Sequence, residues 1–453
     1  MIPLRAAVFA AALALVPAAQ ANPHEFSLPN GLRLIVKEDH RAPTVVHQVW
    51  YRAGSMDEAP GVTGVAHVLE HMMFKGTRRH GPGEFSRLVA EAGGRENAFT
   101  STDFTVYHEQ VHRDRLPLAM RLEADRMVNL VVRPEEFARE IKVVMEERRL
   151  SYEDRPRSLL YENLLATAFA AHPYKWPTIG WMQDLQNMSW EDAQSWYRRW
   201  YAPGNATVIV VGDVEPQQVL ALARRYYGVL PRRTIPGRKA LAEPAQRGIK
   251  RVTLKAAAEL PYVRLGYKVP ALRDPANDWE PFAISLIAEA LGGNDAARFN
   301  QILVRERRIA TSAEADYELI SRGPGMLFLS AAAAKGRSGA ELEDGMREIV
   351  ARVAAEGVTA EELERAKVQR LAQIVFRRDS FFAQALELGE LESVGLSFRD
   401  ADRIAERFRA ITLEQVRAAA ARYLVEDGLT VAVLDPQPLN PRAAGAASPA
   451  AKH

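Results

Sequence analysis

Cysteine is absent from the 453 residues. That excludes disulfides, thiolate metal ligands and cysteine nucleophiles together. Histidine is scarce and uneven: the chain has 10, and none between positions 173 and 452. Imidazole chemistry is therefore confined to the first half. Neither sign of charge dominates, and a formal charge of +2 gives no ground for nucleic acid or an anionic membrane as partner. No apolar run reaches the ~20 residues of a membrane-spanning helix, so no membrane span is expected in the mature chain. A G-x-S-x-G elbow is missing too, which argues against a serine hydrolase.

Residues 1–21 stand apart in composition. Arg5 precedes the apolar run 6–16, which is too short to span a bilayer, and Ala19-Gln20-Ala21 is a small-x-small cleavage site. We read 1–21 as a bacterial signal peptide, with a retained anchor as the alternative. A mature chain beginning near Asn22 is then expected in the periplasm.

The rest has ordinary globular composition and is long enough for two cores. Asn30-Gly31 marks a hairpin turn. Strands are expected at 45–51, 97–100, 105–111 and 206–211, with helices at 65–75, 84–92, 116–129, 134–152 and 216–227. Residues 231–249 are rich in Pro, Gly, Arg and Ala without periodicity and read as a linker. The second half repeats the plan, with strands at 251–256, 262–268, 326–332 and 429–434. The fold class is thus α+β: two homologous domains, 22–230 and 250–435, each a mainly antiparallel sheet packed with helices. Residues 436–453 read as a disordered tail.

His67-Val68-Leu69-Glu70-His71 is the most informative feature. On a helix its three polar residues share one face. Two imidazoles for a metal and a carboxylate beside the metal's water are what a zinc hydrolase needs. The order H-x-x-E-H is that of the inverzincins. A third ligand must come from elsewhere, and with no later histidine the candidates are carboxylates. Glu140 and Glu147 lie seven apart on one face of the 134–152 helix, next to Val143, Val144 and Met145. We read Glu147 as ligand and Glu140 as the group orienting a ligand histidine. Glu146 reads as a solvated charge. Spacing alone does not separate Glu147 from its helical neighbours.

The motif, followed by Phe74-Lys75-Gly76-Thr77, resembles the pitrilysin and insulin-degrading enzyme family. The likeness is closest to the short two-domain branch that includes mitochondrial processing peptidase. That family carries a distal glutamate some 75 residues on, and 75 residues separate His71 from Glu147 here. The run from Gly93-Gly94 through Asn97-Ala98-Phe99-Thr100 to Asp103 and Thr105 is similar to the family's G-G-x-x-N-A-x-T-x-x-D-x-T segment. The resemblance implies a zinc metalloendopeptidase with one Zn2+ on His67, His71 and Glu147, and Glu70 as general base. It also implies that Asn97, Ala98, Phe99 and Thr100 form an edge strand that captures peptide substrate. The alternative is a non-catalytic peptide-binding or assembly subunit.

One departure stands out. The family's second half usually carries an Arg and, seven residues later, a Tyr that reach toward substrate. The matching positions here are Val304 and Thr311; slipping by one recovers Arg305 but puts Ser312 where Tyr belongs. A homologous partner subunit is therefore expected to supply the pair in a heterodimer, with a homodimer as the alternative. His108 and His112 flank a strand end and are not read as a second site. The Arg pairs at 148–149, 198–199, 224–225 and 377–378 read as solvated helix faces.

Overall fold

The computed structural model describes residues 22–239 and 241–438. The signal-peptide reading of 1–21 lies outside them, as does most of the tail.

Two mixed sheets organise the chain. The first is built from β1 (His24–Ser27), β2 (Arg33–Glu38), β3 (Thr44–Tyr51), β4 (Arg95–Thr100), β5 (Thr105–His112) and β6 (Ala206–Gly212) in the order β1-β2-β6-β3-β5-β4. The second has β7 (Lys250–Ala257), β8 (Tyr262–Val269), β9 (Ala310–Tyr317), β10 (Gly325–Ala333) and β11 (Leu429–Gln437) in the order β7-β11-β8-β10-β9. Without β1 the two orders are the same. In each sheet the last strand slots between the first two, parallel to one (β2–β6, β7–β11) and antiparallel to the other. The halves are copies of one topology, in an α+β fold.

β9 is a strand beyond those expected from the sequence. Its inward residues are mostly alanines, Ala310 and Ala313 with Tyr317, so its alternation carries little hydrophobic contrast. β11 runs to Gln437, pairing Pro436 and Gln437 with Ala256 and Ala257. Two residues assigned to the tail therefore belong to the sheet.

Strand side chains alternate between two faces, and both faces of each sheet are buried. One face of the first sheet, with Leu34, Val36, Val49, Val208 and Tyr107, packs on helices of its own half. The other, with Ile35, Val46, Trp50, Ile209 and Val211, is covered by Ala385 and Leu388 of the Phe381–Val394 helix from the second half. The exchange is reciprocal. Leu160, Leu164 and Ala168 of the first-half helix Pro156–Ala168 cover Tyr262, Met326, Ala432 and Leu434 of the second sheet. Gly389 lets the Phe381–Val394 helix approach Trp50, because any Cβ there would meet the indole ring.

Polar contacts complete the join. Arg322 holds Asp57 at 2.7 and 3.0 Å, and its backbone N–H donates to Asp103 at 2.8 Å. The described residues of 231–249 carry no helix or strand, yet the segment is fastened. The Glu243 carboxylate accepts the N–H groups of Ala170, Ala171 and His172 and the Lys268 ammonium. Burial opposes that charge, but these donors hold Glu243 down to about 2. Among the described residues no helix is long and apolar enough to cross a membrane.

Candidate metal centre

The H-x-x-E-H segment lies on the Val65–Met72 helix. Val65, Ala66, Val68, Leu69 and Met72 are buried in the core, which turns His67, Glu70 and His71 to the opposite face. The helix begins at Gly64, in the left-handed region at φ 88°. A Cβ there would run into the backbone of Ile179 and Gly180. The Glu58 carboxylate accepts the Gly64 and Ala66 N–H groups at 2.8 and 2.9 Å, capping the helix start. The helix ends at Met72, short of the expected 75.

The Pro134–Arg148 helix faces it. Phe137, Ile141 and Val144 are buried against the core, which points Glu140 and Glu147 toward the histidines. Val143 is 49% exposed, so of the apolar residues 143–145 it is Val144, with Met145 partly buried beside it, that supplies the apolar setting, together with Ile141. Glu146 is solvated and pairs with Arg149. Arg148 corrects the reading of the Arg pairs: it is buried and holds Glu162 at 2.8 and 3.0 Å.

Glu147 Oε2 lies 3.7 Å from His67 Nε2 and 3.5 Å from His71 Nε2. A tetrahedral ion with bonds of about 2.0–2.1 Å sets its ligand atoms roughly 3.3–3.4 Å apart. The His67–His71–Glu147 cluster thus has the donor set and the spacing of a zinc site that leaves a position open. Burial and the neighbouring His71 hold His67 down to about 4. Burial opposes a charge on His71 as well, but Glu140 and Glu147 raise it to about 9. Its hydrogen bond to the charged His71 imidazole outweighs burial and keeps Glu147 below its ordinary value. A bound cation would take the place of the His71 proton, since imidazole ligates as the neutral base.

Glu140 Oε2 sits 3.3 Å from His71 Nδ1. Glu70 accepts a 2.6 Å hydrogen bond from Thr100 Oγ1. Burial raises the Glu70 carboxyl, and Thr100 offsets part of the rise. That contact was not anticipated; Thr100 was expected to meet substrate. β4 is an edge strand of its sheet. By alternation Ala98 and Thr100 face the motif helix, while Asn97 and Phe99 face the other way. Asn97 Oδ1 accepts the Ala98 N–H at 2.8 Å. The four residues share a strand edge rather than a side-chain cluster.

Among the described residues, a second grouping that could hold a metal is Glu38, His40 and Glu215 on the surface. His108 and His112 form none; His108 packs edge-on against Phe382, 4.8 Å between ring centroids. Val304 packs beside the second core, while Arg305 and Thr311 are exposed.

Comparison with known proteins identifies the family. The insulinase (peptidase family M16) model matches residues 33–180, and the peptidase M16 inactive domain model matches 187–370. The chain is 32% identical over 362 residues to the zinc protease PqqE of Helicobacter pylori, covering 78% of this chain and 80% of that one. It is 31% identical over 428 residues to an uncharacterized zinc protease of Mycobacterium tuberculosis, covering 93% and 94%. The chain belongs to peptidase family M16. A crystal structure of a protease from Helicobacter pylori superposes on this M16 chain with a TM-score of 0.86 at 27% identity, over 91% of this chain and 100% of that one. The periplasmic protease PqqL from Escherichia coli shares the fold at a TM-score of 0.78 and 20% identity, over 94% of this chain and 49% of that one.

Proposed function

We propose that this M16 chain is a zinc metalloendopeptidase acting on peptides or unfolded segments. The observation that carries the reading is the approach of both imidazole Nε2 atoms to one oxygen of Glu147, with Glu70 on the same helix face. Zinc held by His67, His71 and Glu147 would acidify water and polarise a peptide carbonyl. Glu70, whose carboxyl burial raises above its ordinary value, would take a proton from that water and deliver it to the leaving amine. Thr100 keeps the Glu70 carboxylate aimed. The β4 edge offers backbone groups to an extended peptide.

Exposure of Arg305 and Thr311 and the packing of half-buried Val304 beside its own core favour a shared active site. In this reading a homologous partner subunit, or a second copy, brings the Arg and Tyr, and the complex works in the periplasm. The test is one preparation, assayed for bound zinc and for cleavage of a quenched peptide, alone and with proteins co-purified from the periplasm. Glu70→Gln should keep zinc and lose turnover. Cleavage by Glu70→Gln at the wild-type rate would sink the assignment; full activity of the chain alone would remove the partner.

A further inference from the structure

The Phe74-Lys75-Gly76-Thr77 segment follows the motif helix, and most of it has a plain structural use. The Phe74 ring packs on the Arg126 guanidinium, 4.9 Å from its centroid. Gly76 has φ 100°, and a Cβ there would lie 2.8 Å from the His80 carbonyl oxygen. Thr77 Oγ1 donates to Asp125 at 2.6 Å. Lys75 is the exception, because its side chain turns back toward the metal centre.

Lys75 Nζ lies 2.6 Å from Glu140 Oε1, and the other oxygen of that carboxylate meets His71 Nδ1. The ammonium therefore occupies one carboxylate oxygen and leaves the second for the imidazole. The backbone of the same turn is pinned as well. Arg133 donates to the Lys75 and Thr77 carbonyl oxygens at 3.1 and 3.3 Å, immediately before the helix that carries Glu140 and Glu147. Side chain and backbone thus tie the end of one ligand helix to the start of the other. Among the described residues His67 has no comparable support: its Nδ1 is buried without a hydrogen-bond partner. Ring orientation at the centre is supported through the chain Lys75–Glu140–His71.

We infer that Lys75 is a positioning residue of the metal centre, holding His71 in its ligating orientation through Glu140. A carboxylate with one charged partner can rotate about its terminal bond; with an ammonium on one oxygen and an imidazole N–H on the other, it has one favoured setting. Lys75 keeps a side-chain exposure of 28%, so the ammonium can be removed without opening the core.

The inference rests on the zinc reading, and the test separates the two. Zinc affinity of the full chain is measured by competition with a chromogenic chelator, with thermal midpoints of the metal-free and zinc-loaded forms beside it. Glu140→Gln should weaken zinc binding by about 10–100-fold, the range for loss of a ligand histidine's partner. Lys75→Met should weaken it by about tenfold, the low end of that range, and Lys75→Arg should restore most of the loss. In the Glu140→Gln background, Lys75→Met should add nothing. Wild-type affinity in Lys75→Met, or an undiminished effect in that background, overturns the inference. Failure of the wild-type chain to bind zinc overturns both readings. If Lys75→Met does not fold, Lys75→Gln carries the same comparison.

Discussion

Replacing Arg322 by Met should loosen the join between the two halves. Its side chain is 6% exposed and that of Asp57 is 4% exposed, so the pair is out of water. Burial acts to raise Asp57, but Arg322 and Arg238 outweigh it and hold the carboxyl below its ordinary value. Removing one partner of a buried ion pair costs about 3–5 kcal/mol. Asp57 keeps Arg238 at 2.7 Å, so the expected loss is the low end, about 3 kcal/mol. A carboxyl with a depressed folded pKa contributes stability above its unfolded value of about 3.9. That contribution is lost as pH falls through the lower folded value. The gap between Arg322→Met and wild type should therefore be widest near neutrality and should shrink below about pH 4. Urea unfolding followed by tryptophan fluorescence across this range reads both effects. The double variant Arg322→Met/Asp57→Asn should lose less than the sum of the singles. A loss under about 1 kcal/mol at neutral pH, below the usual scale for a buried pair, would refute the reasoning, as would strict additivity.

Gly389→Val should destabilise the chain by about 1–3 kcal/mol or more through overpacking on Trp50. Urea midpoints would show it, and a wild-type midpoint would mean that the Phe381–Val394 helix does not press on the first sheet as described. Burial holds His47 and His172 down to about 4. Their contribution is complete above the unfolded value near ~6.5 and is lost as pH falls toward about 4, with a slope near 1.4 kcal/mol per pH unit for each. His172→Asn should lower the overall slope by about 1.4 kcal/mol per pH unit. An unchanged slope would show that His172 titrates normally.

Much of this molecule is legible in its sequence wherever the physics is local. Helical periodicity alone puts His67, Glu70 and His71 on one face. Asn30-Gly31 announces its hairpin, and the Val-rich runs at 45–51 and 206–211 announce strands that the structure contains. β9 escaped because alanine contrasts weakly with its neighbours. Arg148 was misjudged because a paired arginine at 148–149 looks solvated until Glu162, 14 residues away, is folded against it.

What the tertiary structure decided is which distant groups meet. Helical spacing leaves Glu140 and Glu147 equivalent, one on each side of a two-turn interval. Only the packing of the Pro134–Arg148 helix against the motif helix gives Glu147 the Nε2 side of the histidines and Glu140 the Nδ1 of His71. The same packing recruits Lys75, whose sequence position suits an ordinary helix end. The reciprocal exchange of the Pro156–Ala168 and Phe381–Val394 helices has no local signal either. Sequence pattern reports that a face is apolar; the partner that covers it is selected by the shape of the whole chain.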